Sequence, residues 1–161
     1  MTRINDIKRV ITPIDFSENA PLIAESAAYV AGSFKASLSL IFVVQSFADY
    51  SGFFVPQINA PDLMQELFTS AEVRMDKFCQ DNEESFKALG VTTLDSKVLM
   101  GDVAEQIIDS AINGQGNLIV MGTHGYKGLE KIMFGSIADK VVKAAPCPIM
   151  TVNPYTCCLA K

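Results

Sequence analysis

The chain has 161 residues, 49% of them hydrophobic and 19% charged, with a formal net charge of −5 and a sequence pI of about 4.8. That length suits one compact domain, and that composition supports a real core, which argues against a disordered chain. An acidic surface repels phosphate backbones and disfavours non-specific nucleic-acid binding, although a lone nucleotide can still bind where the local charge differs from the global one.

Met1–Arg9 is polar and charged, with no apolar segment behind it that reads as a signal peptide. The apolar runs are of strand length, so no membrane span is expected and the chain is read as cytoplasmic. Arg9–Ile14 is a short β-rich run, and Glu18–Gly32 carries Leu22, Ile23, Ala27, Val30 and Ala31 at helical spacing. Leu38–Val44 is almost wholly apolar, as a strand buried on both faces should be. Gln45–Ala60 is a loop holding Phe47, Tyr50, Phe53 and Phe54, a partner surface or lid on one reading and packing over the next helix on another. Asp62–Leu89 is a long amphipathic helix with Leu63, Leu67, Val73, Met75 and Phe78 among its apolar positions. Thr92–Leu99 is a third strand and Asp102–Asn113 a helix with Gly114 at its C-cap. Leu118–Met121 is a fourth strand; a glycine loop, the helix Ser136–Ala145 and the strand Pro148–Val152 follow. Residues 1–153 are read as one domain and 154–161 as a tail. Cys79, Cys147, Cys157 and Cys158 show no CxxC spacing, and with one histidine in the chain no metal site is expected.

Alternating strands and helices argue for a parallel sheet with helices on both faces. If the first three strands build outward in one direction, the fourth and fifth must return to the far side of the first. Strands one and four then become neighbours at a switch point, and ligands of open α/β sheets bind outside the carboxyl ends of the strands there. The residues at those ends are Asp15 and Gly122.

Gly122 opens the stretch MGTHGYKGLEKIMFGSIADK. It contains neither a GxxxxGK[ST] loop nor a GxGxxG fingerprint. Its spacing is Gly122-x2-Gly125-x9-Gly135-Ser136. Glycines let backbone N–H groups approach a polyphosphate, and the helix start at Gly135–Ser136 favours an anion. Charge-assisted bonds of this kind contribute roughly 1.5–3 kcal/mol each. Gly122–Ala145 carries a local charge of +2, with Lys127, Lys131, Lys140 and Lys143 against Glu130 and Asp139, in a chain whose remainder carries −7.

Three stretches, ITPIDFSENA, GDVAEQIID and VMGTHGYKGLEKIMFGSIADKVVKAAPCPIMTV, resemble the universal stress protein family across nearly the whole chain, outside Gln45–Ala60 and the tail. The Gx2Gx9G(S/T) pattern resembles that family's ATP-binding branch. The resemblance implies a three-layer α/β sandwich of the adenine nucleotide alpha hydrolase-like kind, its five-stranded parallel sheet in the order 3-2-1-4-5. It also implies a homodimer paired through the last strand. It would put Pro13, Ile14, Asp15 and Val43 by the adenine and ribose, with Met121 and Gly122 lining the nucleoside. Gly125, Gly135, Ser136 and Ile137 would hold the phosphates of ATP, ADP or AMP, with Mg²⁺ bridging phosphate oxygens and His124 nearby.

Plainer readings stand beside these. Asp15-x-x-Glu18 fits a capping box, with Ser17 as an alternative N-cap, and Ser136 with Asp139 fits another. His124 is a loop histidine that touches a phosphate or solvent before it is a catalytic base. The function expected is ATP binding by a regulatory protein of the stress response. A slow ATPase or phosphoryl or adenylyl transferase is one alternative, and a dimeric adaptor with a structural nucleotide is another. No arginine finger or paired carboxylates flank the loop, which weakens the transferase reading.

Overall fold

The structure is a computed structural model that describes residues 6–45, 60–124 and 135–156. Five strands and four helices alternate: β1 (Arg9–Pro13), α1 (Ala20–Ser33), β2 (Ser37–Val44), α2 (Ala60–Ala88), β3 (Leu94–Met100), α3 (Val103–Asn113), β4 (Leu118–Gly122), α4 (Ser136–Ala144) and β5 (Ile149–Val152). All strand pairs are parallel, in the order β3-β2-β1-β4-β5. The expected sheet order is therefore the observed one.

The alternation of side chains along each strand divides the core in two. Val10, Ile14, Leu38, Leu40, Leu118 and Val120 pack with α1 and α2 on one face. Ile11, Ile41, Ile119 and Met121 pack with α3 and α4 on the other. Alanines at 20, 24, 27, 28 and 31 form the buried stripe of α1, and their small size lets that helix lie close to the sheet.

Several boundaries differ from the sequence reading. α1 begins at Ala20 rather than Glu18, and no capping box forms: Asn19 is the N-cap, and Asp15 Oδ1 instead accepts the Ser17 N–H at 3.0 Å. Ser136 is the first helical residue of α4 rather than its cap, because Gly135 occupies the cap position. The carboxylate of Asp139 turns to Lys143 at 2.8 Å. Gly114 does cap α3, at an ordinary φ of −85°; a Cβ there would lie 2.5 Å from the Ser110 carbonyl oxygen, and Gln115 takes the left-handed conformation. On α2, Leu63, Leu67 and Val73 are exposed, and burial begins at Ala71 and continues through Met75 and Phe86. The C-terminal part of α2 is thus what meets the core. The aromatic loop 46–59 and Cys157–Cys158 lie outside the described residues.

Cys79 and Cys147 are free, part-buried thiols. Burial pushes both above the usual thiol range, opposed by a hydrogen bond with Ser96 at Cys79 and with the Ile119 backbone at Cys147. Among the described residues no helix is long and apolar enough to cross a membrane.

Two substitutions test this packing. A Cβ at Gly32 would lie 1.9 Å from the Leu89 carbonyl oxygen, so G32A should cost about 1–3 kcal/mol or more by urea denaturation. Exposed Glu25→Ala on the same helix should stay within about 0.5 kcal/mol. Thr12 is fully buried and its hydroxyl has no hydrogen-bond partner among the described residues, so the near-isosteric T12V should raise Tm, by removing a desolvated group that costs roughly 1–3 kcal/mol.

Candidate functional site

β1 ends at a proline, which supplies no N–H to extend the ladder. The next N–H, from Ile14, still reaches the Ile41 carbonyl at 2.9 Å. Alternation places Pro13 on the face of Ile11, Val43 on the face of Ile41, and Met121 packs on that same face itself. Pro13, Val43 and Met121 thus share the α3–α4 face at the carboxyl edge of three adjacent strands. Ile14 does not join them: its side chain is buried in the α1–α2 core, so only its backbone adjoins the crevice.

The end of β4 is held from two sides by backbone. The Thr123 N–H donates to the Val152 carbonyl at 2.9 Å, and the Gly135 N–H donates to the Thr123 carbonyl at 2.9 Å. One residue therefore ties the end of β5 to the start of α4. Gly122 sits under tight steric limits, since a Cβ there would lie 2.7 Å from Ile23 Cδ1 and 3.2 Å from the His124 carbonyl oxygen. Of the two surroundings expected for His124, a phosphate or solvent, the structure excludes open solvent. His124 is buried, with Nδ1 2.8 Å from Thr123 Oγ1 and its ring edge-on to Tyr155 at 5.6 Å. Tyr155 carried no sequence signal as a neighbour of this loop, because it approaches from beyond β5.

The N-termini of α1, α3 and α4, all at the sheet's carboxyl edge, differ in a way that bears on ligands. α3 is closed by Asp102, whose Oδ1 accepts the Glu105 N–H at 3.0 Å. At α1 the Ala20 N–H is taken by the Ser17 carbonyl at 3.0 Å, and Pro21 removes a further donor. Among the described residues α4 has no side-chain cap. Its first turn offers the N–H groups of Ser136, Ile137 and Ala138 at the positive end of the helix dipole. Ile137 contributes backbone there, because its side chain packs against the α3–α4 core. The described part of the basic island is largely neutralised: Lys143 pairs with Asp139, and Lys140 lies 3.8 Å from Asp102. Gly125, Lys127 and Lys131 lie outside the described residues. Among the described residues, no group of three or more His, Cys, Asp or Glu side chains could hold a metal ion directly.

A residue that sequence reasoning passed over stands between Asp15 and α1. Phe16 has φ 56°, a left-handed conformation that costs a non-glycine residue roughly 1–2 kcal/mol. The only hint of it in the sequence is its place directly after the strand end. Pro13, Asp15, Val43, Met121, Gly122, Gly135 and Ser136 thus lie at or just beyond the carboxyl ends of β1, β2 and β4 and at the start of α4. A shallow depression on α2, lined by Gln65, Glu66, Thr69, Ser70 and Val73, draws on a single helix.

Residues 6–153 match the Universal stress protein family. Universal stress protein MJ0531 of Methanocaldococcus jannaschii is 33% identical over 150 residues, which cover 92% of this chain and 84% of the relative. Among solved structures, universal stress protein UspA from Lactobacillus plantarum shares the fold at a TM-score of 0.77 with 21% identity, over 91% of this chain and 98% of that one. A universal stress protein solved in complex with cAMP shares it at a TM-score of 0.64 with 14% identity, over 92% of this chain and 98% of that one.

Proposed function

The chain belongs to the universal stress protein family, and from that premise we propose that it binds an adenine nucleotide, ATP, in the crevice between the ends of β1 and β4 and acts as a cytoplasmic regulatory protein. The observation that carries the reading is the uncapped N-terminus of α4, tied by Gly135 to the end of β4 at the switch point. An open helix N-terminus in that position is a ready anion site. The cAMP complex of a protein with the same fold supports an adenine nucleotide as the anion's carrier.

In this reading the nucleoside lies along Pro13, Asp15, Val43, Met121 and Gly122, on the α3–α4 face of the sheet. The phosphates meet the backbone of Gly135, Ser136 and Ile137, with Gly125 completing the cradle. Mg²⁺ would be held by phosphate oxygens rather than by a protein ligand set. The arrangement binds and orients phosphate through preformed backbone donors. His124, engaged with Thr123 and Tyr155, has a structural occupation that does not require a catalytic one.

The regulatory part rests on a short connection. Gly135 and Val152 meet on opposite sides of Thr123, so a ligand that orders the start of α4 bears on the end of β5 through two hydrogen bonds. Among the described residues β5 is an edge strand paired only with β4, and Met150 on it is 40% exposed. We read that edge as the homodimer surface implied by the resemblance.

Isothermal titration with ATP and Mg²⁺ should give saturable binding. Among the described residues a Cβ at Gly135 would meet nothing closer than 3.4 Å, and its φ of −65° is open to any residue, so G135L should fold. Its side chain would cover the α4 amides. Losing two charge-assisted bonds of roughly 1.5–3 kcal/mol each should weaken ATP binding by about 100-fold or more. A folded wild-type chain that fails to bind millimolar ATP contradicts the reading.

A further inference from the structure

The turn after β1 runs against the backbone preference of the residue that makes it. Phe16, at φ 56°, is bulky and not a glycine, and such strain persists only where the surroundings hold it. Here they do, from two other elements. Its ring lies 4.6 Å from that of Phe42 on β2 and 6.4 Å, edge-on, from that of Phe78 on α2. Arg74, one turn before Phe78 on α2, sets its guanidinium carbon 4.6 Å from the Phe16 ring centroid. Phe16 is therefore gripped by a strand and a helix that the turn itself does not contain.

The grip has a consequence one residue earlier. With the chain turned at Phe16, the Ser17 N–H comes back to Asp15 Oδ1 at 3.0 Å. That bond fixes the carboxylate and leaves Oδ2 as an acceptor at the carboxyl end of β1. An ionised carboxylate only accepts, so its ligand partner must be a donor on the nucleoside: a ribose hydroxyl or an amino group of the base. A relaxed turn would let the carboxylate swing away or cap α1, as the sequence pattern invites.

We propose that Phe16 is a positioning residue for the nucleoside: its ring, clamped by Phe42, Phe78 and Arg74, enforces the left-handed turn that aims Asp15. The proposal rests on the nucleotide reading above and adds to it a determinant that touches no ligand. It also separates two subsites. The phosphates depend on the start of α4, and the nucleoside depends on the clamp.

The test compares ATP with tripolyphosphate, which probes the phosphate subsite alone, on the wild type, F16A, F16Y, D15N and F16A/D15N. F16A should weaken ATP by about tenfold, near the lower end of a hydrogen bond to a charged group, and leave tripolyphosphate within about twofold of wild type. The double variant should bind ATP within about twofold of D15N alone, since both changes remove one interaction. F16Y, which keeps the ring, should bind as wild type does. R74M changes an exposed residue of α2 that touches the Phe16 ring and should weaken ATP by about two- to fivefold, so it carries the test if F16A does not fold. The proposal is overturned if folded F16A or R74M binds ATP as wild type does, if tripolyphosphate binding falls in parallel, or if the two losses multiply in the double variant. A wild type that does not bind ATP defeats the nucleotide reading itself, whereas wild-type binding that these variants leave intact defeats this proposal alone.

Discussion

The reversal of strand order between β1 and β4 is the constraint on which the rest of the molecule depends. β2 and β3 build outward from β1 on one side, and the chain then crosses back to lay β4 and β5 on the other. Right-handed crossovers in opposite directions place α1 and α2 on one face and α3 and α4 on the other. The carboxyl ends of β1 and β4 are left side by side, with connections that depart to opposite faces. A crevice at that point follows from the topology, before any side chain is specified. What the residues at its rim decide is its chemistry.

That chemistry is mostly backbone. Thr123 receives β5 through its N–H and releases its carbonyl to α4, so the geometry of the α4 N-terminus is inherited from the sheet. Preorganisation of this kind keeps the donors in place without the ordering cost that flexible side chains carry. The contrast with α3 is informative. Asp102 satisfies the N-terminus of α3 from within, whereas α4 begins with a glycine that has no side chain to do so. A side-chain cap at 135 would stabilise the helix by only a few tenths of a kcal/mol over glycine, roughly, and would compete with an anion for the same amides.

The strand order is readable in the sequence because both periodicities are strong: LSLIFVV has the unbroken apolar run of a two-faced strand, and the alanine stripe of α1 recurs at helical spacing. The glycines at 122 and 135 are readable for the same reason, since their spacing spans a strand end and a helix start. What escapes is set by tertiary contact. Asp15 and Ser136 both fit local capping patterns, and neither caps, because Phe16 is held from β2 and α2 and Gly135 is held from β4. His124 looks exposed in a glycine-rich loop and is buried by a tyrosine more than thirty positions later. Leu63 and Leu67 have helical periodicity, yet they are exposed and burial on α2 starts at Ala71. Local pattern reaches the elements and their order; it does not reach contacts made by residues far along the chain.

The central claim is that an adenine nucleotide lies across the switch point with its phosphates on the first turn of α4. An amide-resolved NMR titration of the ¹⁵N-labelled chain with ATP tests it most directly. The account predicts saturable shifts concentrated at Ser136, Ile137 and Ala138, accompanied by Asp15 and Gly122 across the crevice. Shifts confined to the outer face of α2, or a spectrum unchanged at millimolar ATP, would contradict it.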